Sequence, residues 1–313
     1  MAGGYFNRGN KMNESKQYLK TMVSSVYQLQ SLRVATGNRI AANFRIKLGI
    51  APSDDESKLE KQDKDMLVIL RLAYKRITDG IVEGKFITAN RFKPDEEGII
   101  TSYTELCLVD QYIGLLREEE KHFRNLEKVL IDFPIYTGYL KDIRGIGPAL
   151  AAVIISELDP HKATYPSSFH KYAGLDVVVS EGENGELIGA GRSRKKEHLI
   201  DKEYKKADGS ITEAKGITFN PFLKTKLIGV LGSSFIRAGK NKYDDIYRGY
   251  KFRLQNMPAH AGKSKAHINN MAIRYMIKFF LIDLHIKWRE IEGLPVSTPY
   301  HEGKLGIIHN KIG

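Results

Sequence analysis

The chain has 313 residues, 42% of them hydrophobic and 27% charged, which is the balance of a globular protein able to hold two or three domains. Its formal net charge of +12 favours an anionic partner, and nucleic acid fits better than a membrane. No apolar run nears the ~18 residues of a membrane span, Met1–Lys11 lacks the features of a secretory signal, and the lone Cys107 excludes an intrachain disulfide and a zinc knuckle. The expectation is an intracellular, cytoplasmic protein with no membrane contact, in which Cys107 is a small core residue.

In chain order, Asn13–Leu48 reads as helix, with Leu19, Met22, Val26 and Leu29 at helical spacing until Gly49 and Pro52. Ser53–Glu56 reads as a capping box for a helix through Met66, Leu70, Ala73 and Ile77. Phe86–Gly98 reads as loop. A third helix over about Ser102–Asp132 carries Val109, Leu116, Phe123 and Leu130 at seven-residue intervals, a seam suited to a helical hairpin or a coiled-coil contact. After Pro134, the stretch 135–158 reads as two helices joined by a tight turn. Ser167–Gly174 reads as a helix closed by glycine, and Val177–Val179 with Glu186–Ala190 as a β-hairpin around Glu183-Asn-Gly185. The segment Lys202–Gly216 is polar and reads as a mobile insertion. Helices follow at Pro221–Arg237, Tyr243–Asn256 and Ser264–Glu290. The fold class is mainly α: a long, coiled-coil-like N-terminal helical region (1–134), then a domain (135–313) with a helix-hairpin-helix, a small β-hairpin and C-terminal helices.

The most telling segment is Ile143-Arg144-Gly145-Ile146-Gly147-Pro148-Ala149. Two glycines separated by one apolar residue permit a tight turn and close approach of a ligand. Pro148 suits the first turn of the following helix, where an N–H has no partner in any case. The remaining free N–H groups and the helix dipole then face an anion, and phosphate is the obvious one. All six residues from Arg144 to Ala149 are candidate backbone contacts. Such contacts position a nucleic acid without reading its sequence.

A second candidate contact set is Arg192, Arg194, Lys195 and Lys196, continued by Lys224 and Lys226. A serine hydroxyl can attack a phosphodiester where cations stabilise the charge and a base takes its proton. Ser193, between two arginines, and Ser180, after the apolar strand, are the candidates; no base is evident for either. In the last helix Ile277–Leu284 reads as core, while Arg274 and Lys278 suit either a backbone phosphate or a snorkelling position. The nine histidines show no zinc spacing, no phosphate-binding nucleotide loop is present, and neither a cofactor nor a divalent metal finds support.

From Leu140 to about Trp288 the order of features resembles the C-terminal domain of insertion-sequence transposases of the IS-one-ten, IS-one-sixteen and IS-nine-oh-two type. The resemblance rests on Ile143–Ala149, then Phe169-His-Lys-Tyr-Ala-Gly-Leu175, the basic Gly-containing segment, Leu223–Leu231 and Asn269–Lys278. It implies transposition and DNA recombination, with a serine contributed to strand exchange beside a RuvC-like nuclease domain and a structured guide RNA. The family's serine follows the Gly-Leu segment closely. Ser180 is nearest by position and Ser193 is richer in cations. Residues 1–134, being helical, show no RuvC-like opening strand. The reading is a DNA-binding, transposase- or recombinase-like protein of a mobile element, a homo-oligomer, carrying out strand transfer through Ser193 or Ser180. The alternatives are a non-enzymatic architectural DNA binder of a mobile element or phage, and an RNA-backbone binder.

Overall fold

Helix caps set most of the element boundaries. A computed structural model describes residues 3–49, 61–80, 86–181 and 185–297. The capping box at Ser53–Glu56, Pro52 and part of the 183–185 turn lie outside the described residues. Helix α1 covers Gly3–Lys47, α2 Lys61–Asp79 and α3 Tyr103–Leu130. The start of α3 is a capping box. Ser102 Oγ accepts from Glu105 N at 3.3 Å, and Glu105 Oε2 accepts from Ser102 N at 3.2 Å and Thr101 N at 2.8 Å.

The chain forms two compact units, Thr21–Glu127 and Met1–Lys20 with Lys128–Gly313. In the first, Leu67, Leu70 and Ala73 of α2 and Leu106 and Val109 of α3 are at most 3% exposed and share a core with Ile40. Polar side chains are paired rather than excluded from this core. Arg33 forms an ion pair with the buried Glu119, Arg45 Nη2 meets Asp63 at 2.8 Å, and Tyr74 donates to Asp110 at 2.5 Å. The guanidiniums of Arg33 and Arg71 both flank the Tyr112 ring.

The second unit is built around α10 (Lys265–Ile291), which starts on Ser264, whose Oγ accepts from His267 N at 3.2 Å. The expected core stretch is borne out: Ile277, Phe280, Leu281 and Leu284 are fully buried. Against α10 lie α4 (Pro134–Gly138), α6 (Pro166–Tyr172), α8 (Gly232–Ala238) and α9 (Lys242–Gln255). The helix α5 (Pro148–Glu157) is apolar on every side from Leu150 to Ile155 and is correspondingly buried all round. A short helix α7 (Pro221–Thr225) runs through a π-helical turn, Lys226–Leu231, directly into α8.

Two antiparallel hairpins complete the unit. β1 (Val177–Glu181) pairs with β2 (Leu187–Gly191), with Val177 opposite Gly191. The polar segment read as a mobile insertion is instead a second hairpin, β3 (Ile200–Lys205) with β4 (Ile211–Gly216). Its turn explains it. Gly209 takes φ +85°, and Asp208 Oδ1 accepts from Ser210 N at 2.9 Å and Ser210 Oγ at 2.7 Å.

Two predictions follow from the packing on α10. Phe280→Ala should lower unfolding free energy by about 3–5 kcal/mol in denaturant titration, because Phe280 is fully buried and set edge-on against both Phe235 and Tyr243. Burial also pushes the His170 imidazole down to about 4, against the opposing 3.1 Å hydrogen bond from its Nε2 to Lys278 O. The unfolded chain therefore takes up a proton first, so stability present above about pH 6.5 is lost as pH falls towards 4. The loss at this histidine is at most about 3 kcal/mol, and His170→Gln should remove it from the measured pH profile.

Candidate nucleic-acid interface

The turn between α4 and α5 is built by its sequence. Beyond α4, Tyr139 (φ −151°, ψ −59°) interrupts the first helix, which resumes only as a 3-10 turn at Leu140–Asp142. Ile146 N then donates to Ile143 O at 3.0 Å, closing a four-residue turn whose third residue, Gly145, takes φ +103°. Ile146 is buried and anchors the turn.

The two glycines serve different ends. At Gly145 a Cβ would lie 2.9 Å from Phe235 Cδ1 and 3.4 Å from Phe235 Cα, so α8 passes directly beneath the backbone. Ser234 Oγ donates to Gly145 O at 2.7 Å, fixing that approach. Gly147 is exposed and extended, with nothing within 4 Å of the Cβ position. It caps α5, Pro148 follows at the first helical position, and Leu150 N and Ala151 N turn back to Gly147 O. The N–H groups of Gly145, Gly147 and Ala149 make no hydrogen bond among the described residues. Arg144 stands exposed at the apex of the turn. The result is an uncovered helix N-terminus with free donors and an adjacent guanidinium, an arrangement that accepts an anion.

The basic segment after β2 divides into structural and exposed cations. Arg192 grips Asp176 with two nitrogens, Nε to Oδ1 at 2.8 Å and Nη2 to Oδ2 at 2.7 Å, and Nη1 reaches Thr218 Oγ1 at 2.5 Å. It braces β2 to the loop before α7. Arg194, Lys195 and Lys196 are exposed, with Lys195 3.7 Å from Glu197. Lys224 Nζ donates to Arg192 O at 2.7 Å, and Lys226 lies over the Phe222 ring at 5.5 Å. Burial holds both ammoniums below the usual lysine range. Because α7 packs on α5 while its Lys224 ties to Arg192, one short helix connects the turn's helix to the basic segment.

Ser193 has a partner that sequence reading missed. Its Oγ lies 2.9 Å from His198 Nδ1, and its N–H donates to the same nitrogen at 3.0 Å. Accepting a backbone N–H requires an Nδ1 without a proton, which places the proton of the neutral ring on Nε2. His198 is 3% exposed, and Nε2 has no hydrogen-bond partner among the described residues. Lys195 N donates to Ser193 Oγ at 3.3 Å, completing the turn. The serine-to-histidine spacing becomes a contact because residues 196–198 form a single 3-10 turn. Ser180 stands elsewhere, on β1 opposite Ile188, three residues along the strand from Val177 and Gly191. Among the described residues no group of three or more His, Cys, Asp or Glu is placed to hold a metal ion, and no helix is long and apolar enough to cross a membrane.

The unit is mainly helical and presents free backbone donors and exposed cations. Residues 138–198, about a fifth of the chain, match the model of the Transposase IS116/IS110/IS902 family. The match begins at the turn, includes the β1–β2 hairpin and ends on His198. This segment is similar to the transposase domain of that family, and the similarity supports a transposase-like, DNA-related function. No curated protein matches the chain.

Gly145→Val should destabilise the fold by more than about 2 kcal/mol, since it meets both the positive φ and Phe235. Gly147→Ala should change stability by less than about 1 kcal/mol, because its Cβ enters open space. Thermal unfolding of the pair distinguishes the two roles, and equal losses would contradict them.

Proposed function

We propose that the chain binds DNA through a helix-hairpin-helix grip at Arg144–Ala149 and catalyses strand transfer of the transposase kind, with Ser193 as nucleophile. Residues 135–313 act as the nucleic-acid-binding domain and 1–134 as a helical region supporting a homo-oligomer inside the cell. The observation that carries this reading is the Ser193–His198 contact inside the segment that matches the transposase family. In the reaction Ser193 Oγ attacks phosphorus while its proton passes to His198 Nδ1, which gives up the hydrogen bond it accepts from Ser193 N–H. A P–Oγ bond forms, the bond to the departing sugar oxygen breaks, and that oxygen is protonated from solvent. The exposed Arg194 and the nearby lysines stabilise charge on the phosphoryl oxygens. Ser180 is the second candidate from the family pattern.

Incubation of the protein with supercoiled plasmid, followed by denaturing separation with and without protease, should reveal a covalent protein–DNA link. Ser193→Ala should abolish the link and Ser180→Ala should leave it. His198→Ala should slow its formation about 10²–10⁴-fold. Loss of the link with Ser180→Ala alone would overturn the assignment. Salt-dependent binding without any link would favour an architectural role, and preferential retention of structured RNA over duplex DNA would favour an RNA partner.

A further inference from the structure

The end of β2 meets α7 and α10 at a point where cations outnumber carboxylates. A Cβ on Gly191 would stand 3.1 Å from Arg274 Nη1, so the bare strand end lets the guanidinium lie against it. Lys224 reaches the same strand end from α7, where its Nζ bonds Arg192 O at 2.7 Å and lies 4.6 Å over the Phe219 ring. Lys278 follows Arg274 by one turn of α10 and so shares its face. The nearby carboxylate, Asp176, already has both oxygens engaged by Arg192. The side chains of Arg274 and Lys278 form no ion pair or hydrogen bond among the described residues, and Arg274 is exposed.

Mutual repulsion is visible in these groups. Burial, then Arg274 and Arg192, hold Lys224 below the usual lysine range against the pull of Asp176. Burial and Arg274 do the same to Lys278, again against Asp176. Three cations from two helices gathered on one strand end, with the nearby carboxylate of Asp176 occupied, are relieved by an incoming anion. A tetrahedral one offers an oxygen to each, which a planar carboxylate does not.

We propose that Lys224, Arg274 and Lys278 form a phosphate seat, separate from the turn at Gly145–Gly147, beside the Arg192–Ser193 peptide. A phosphodiester held there lies next to the Ser193 hydroxyl, while the turn holds another part of the same backbone. The identity of the phosphate as part of a nucleic acid rests on the proposed function; the seat itself does not.

The test uses the full chain and inorganic phosphate. At about tenfold over its Kd, phosphate should raise Tm by about 3–5 °C relative to chloride at equal ionic strength. The response should vanish in Arg274→Gln/Lys278→Gln and persist in Arg144→Gln, which alters only the turn. Gly191→Val keeps all three charges but displaces the guanidinium, and should weaken the response. In DNA binding, the double variant should reduce the slope of log affinity against log salt by about two. Equal effects of phosphate and chloride on the parent chain, or an unchanged response in the double variant, would overturn the seat. A phosphate response without any nucleic-acid binding would leave the seat standing and defeat the proposed function. Nucleic-acid binding whose salt slope is unchanged in the double variant would do the reverse.

Discussion

The arrangement around the turn depends on how closely the backbone of Gly145 approaches Phe235. Phe235 is itself immobilised, stacked on Tyr243 at 4.6 Å between centroids and set edge-on to Phe280 at 5.5 Å. Three helices, α8, α9 and α10, therefore converge on one ring, and the turn rests on that ring. Positive φ at residue 145 and the absent side chain are consequences of this seat. The segment matching the transposase family ends at His198, yet the shape of its first turn is dictated by aromatic side chains well beyond it. Rigidity at Gly145 leaves Gly147 free of packing duties, which is why the donors at the start of α5 remain uncovered.

Much of this was legible in the sequence because it is local. The periodicity of Ile277–Leu284, the break at Pro134, the glycine closing α6 and the Gly-x-Gly-Pro turn all express backbone preferences within a few residues. The second hairpin was masked by its polarity: β3 and β4 expose most of their residues, so no alternation of apolar and polar positions marks them. Ser102–Glu105 carried a legible capping box that the helical periodicity alone did not require. The site was harder to read. Whether Arg192 faces solvent or Asp176 depends on a partner sixteen residues earlier. The pairing of Ser193 with His198 depends on a turn too short to announce itself.

Cations that look alike in a row do different work here. Arg192 is a brace, Lys224 is a strut between α7 and the strand end, and Arg194 to Lys196 face solvent. A net charge of +12 thus describes a surplus without locating it. In the Thr21–Glu127 unit the same residue types are neutralised in pairs, as with Arg33 and Glu119. In the other unit the surplus gathers where carboxylates are already occupied. Composition identifies the kind of partner, and pairing identifies where it is met.

The π-helical turn at Lys226–Leu231 links two of these features in one continuous helix. Its wider turn sets the angular phase between Lys224, which faces the strand end, and Phe235, which faces Gly145. Straightening this stretch into regular α-helix at the same length would rotate everything beyond it by about 100°, whereas removing one residue along with the wide turn would leave that phase nearly unchanged. At this chain length either contact alone survives in an ordinary helix; both together need the wide turn. A substitution that tightens this stretch into α-helix is therefore a change of geometry at two sites at once.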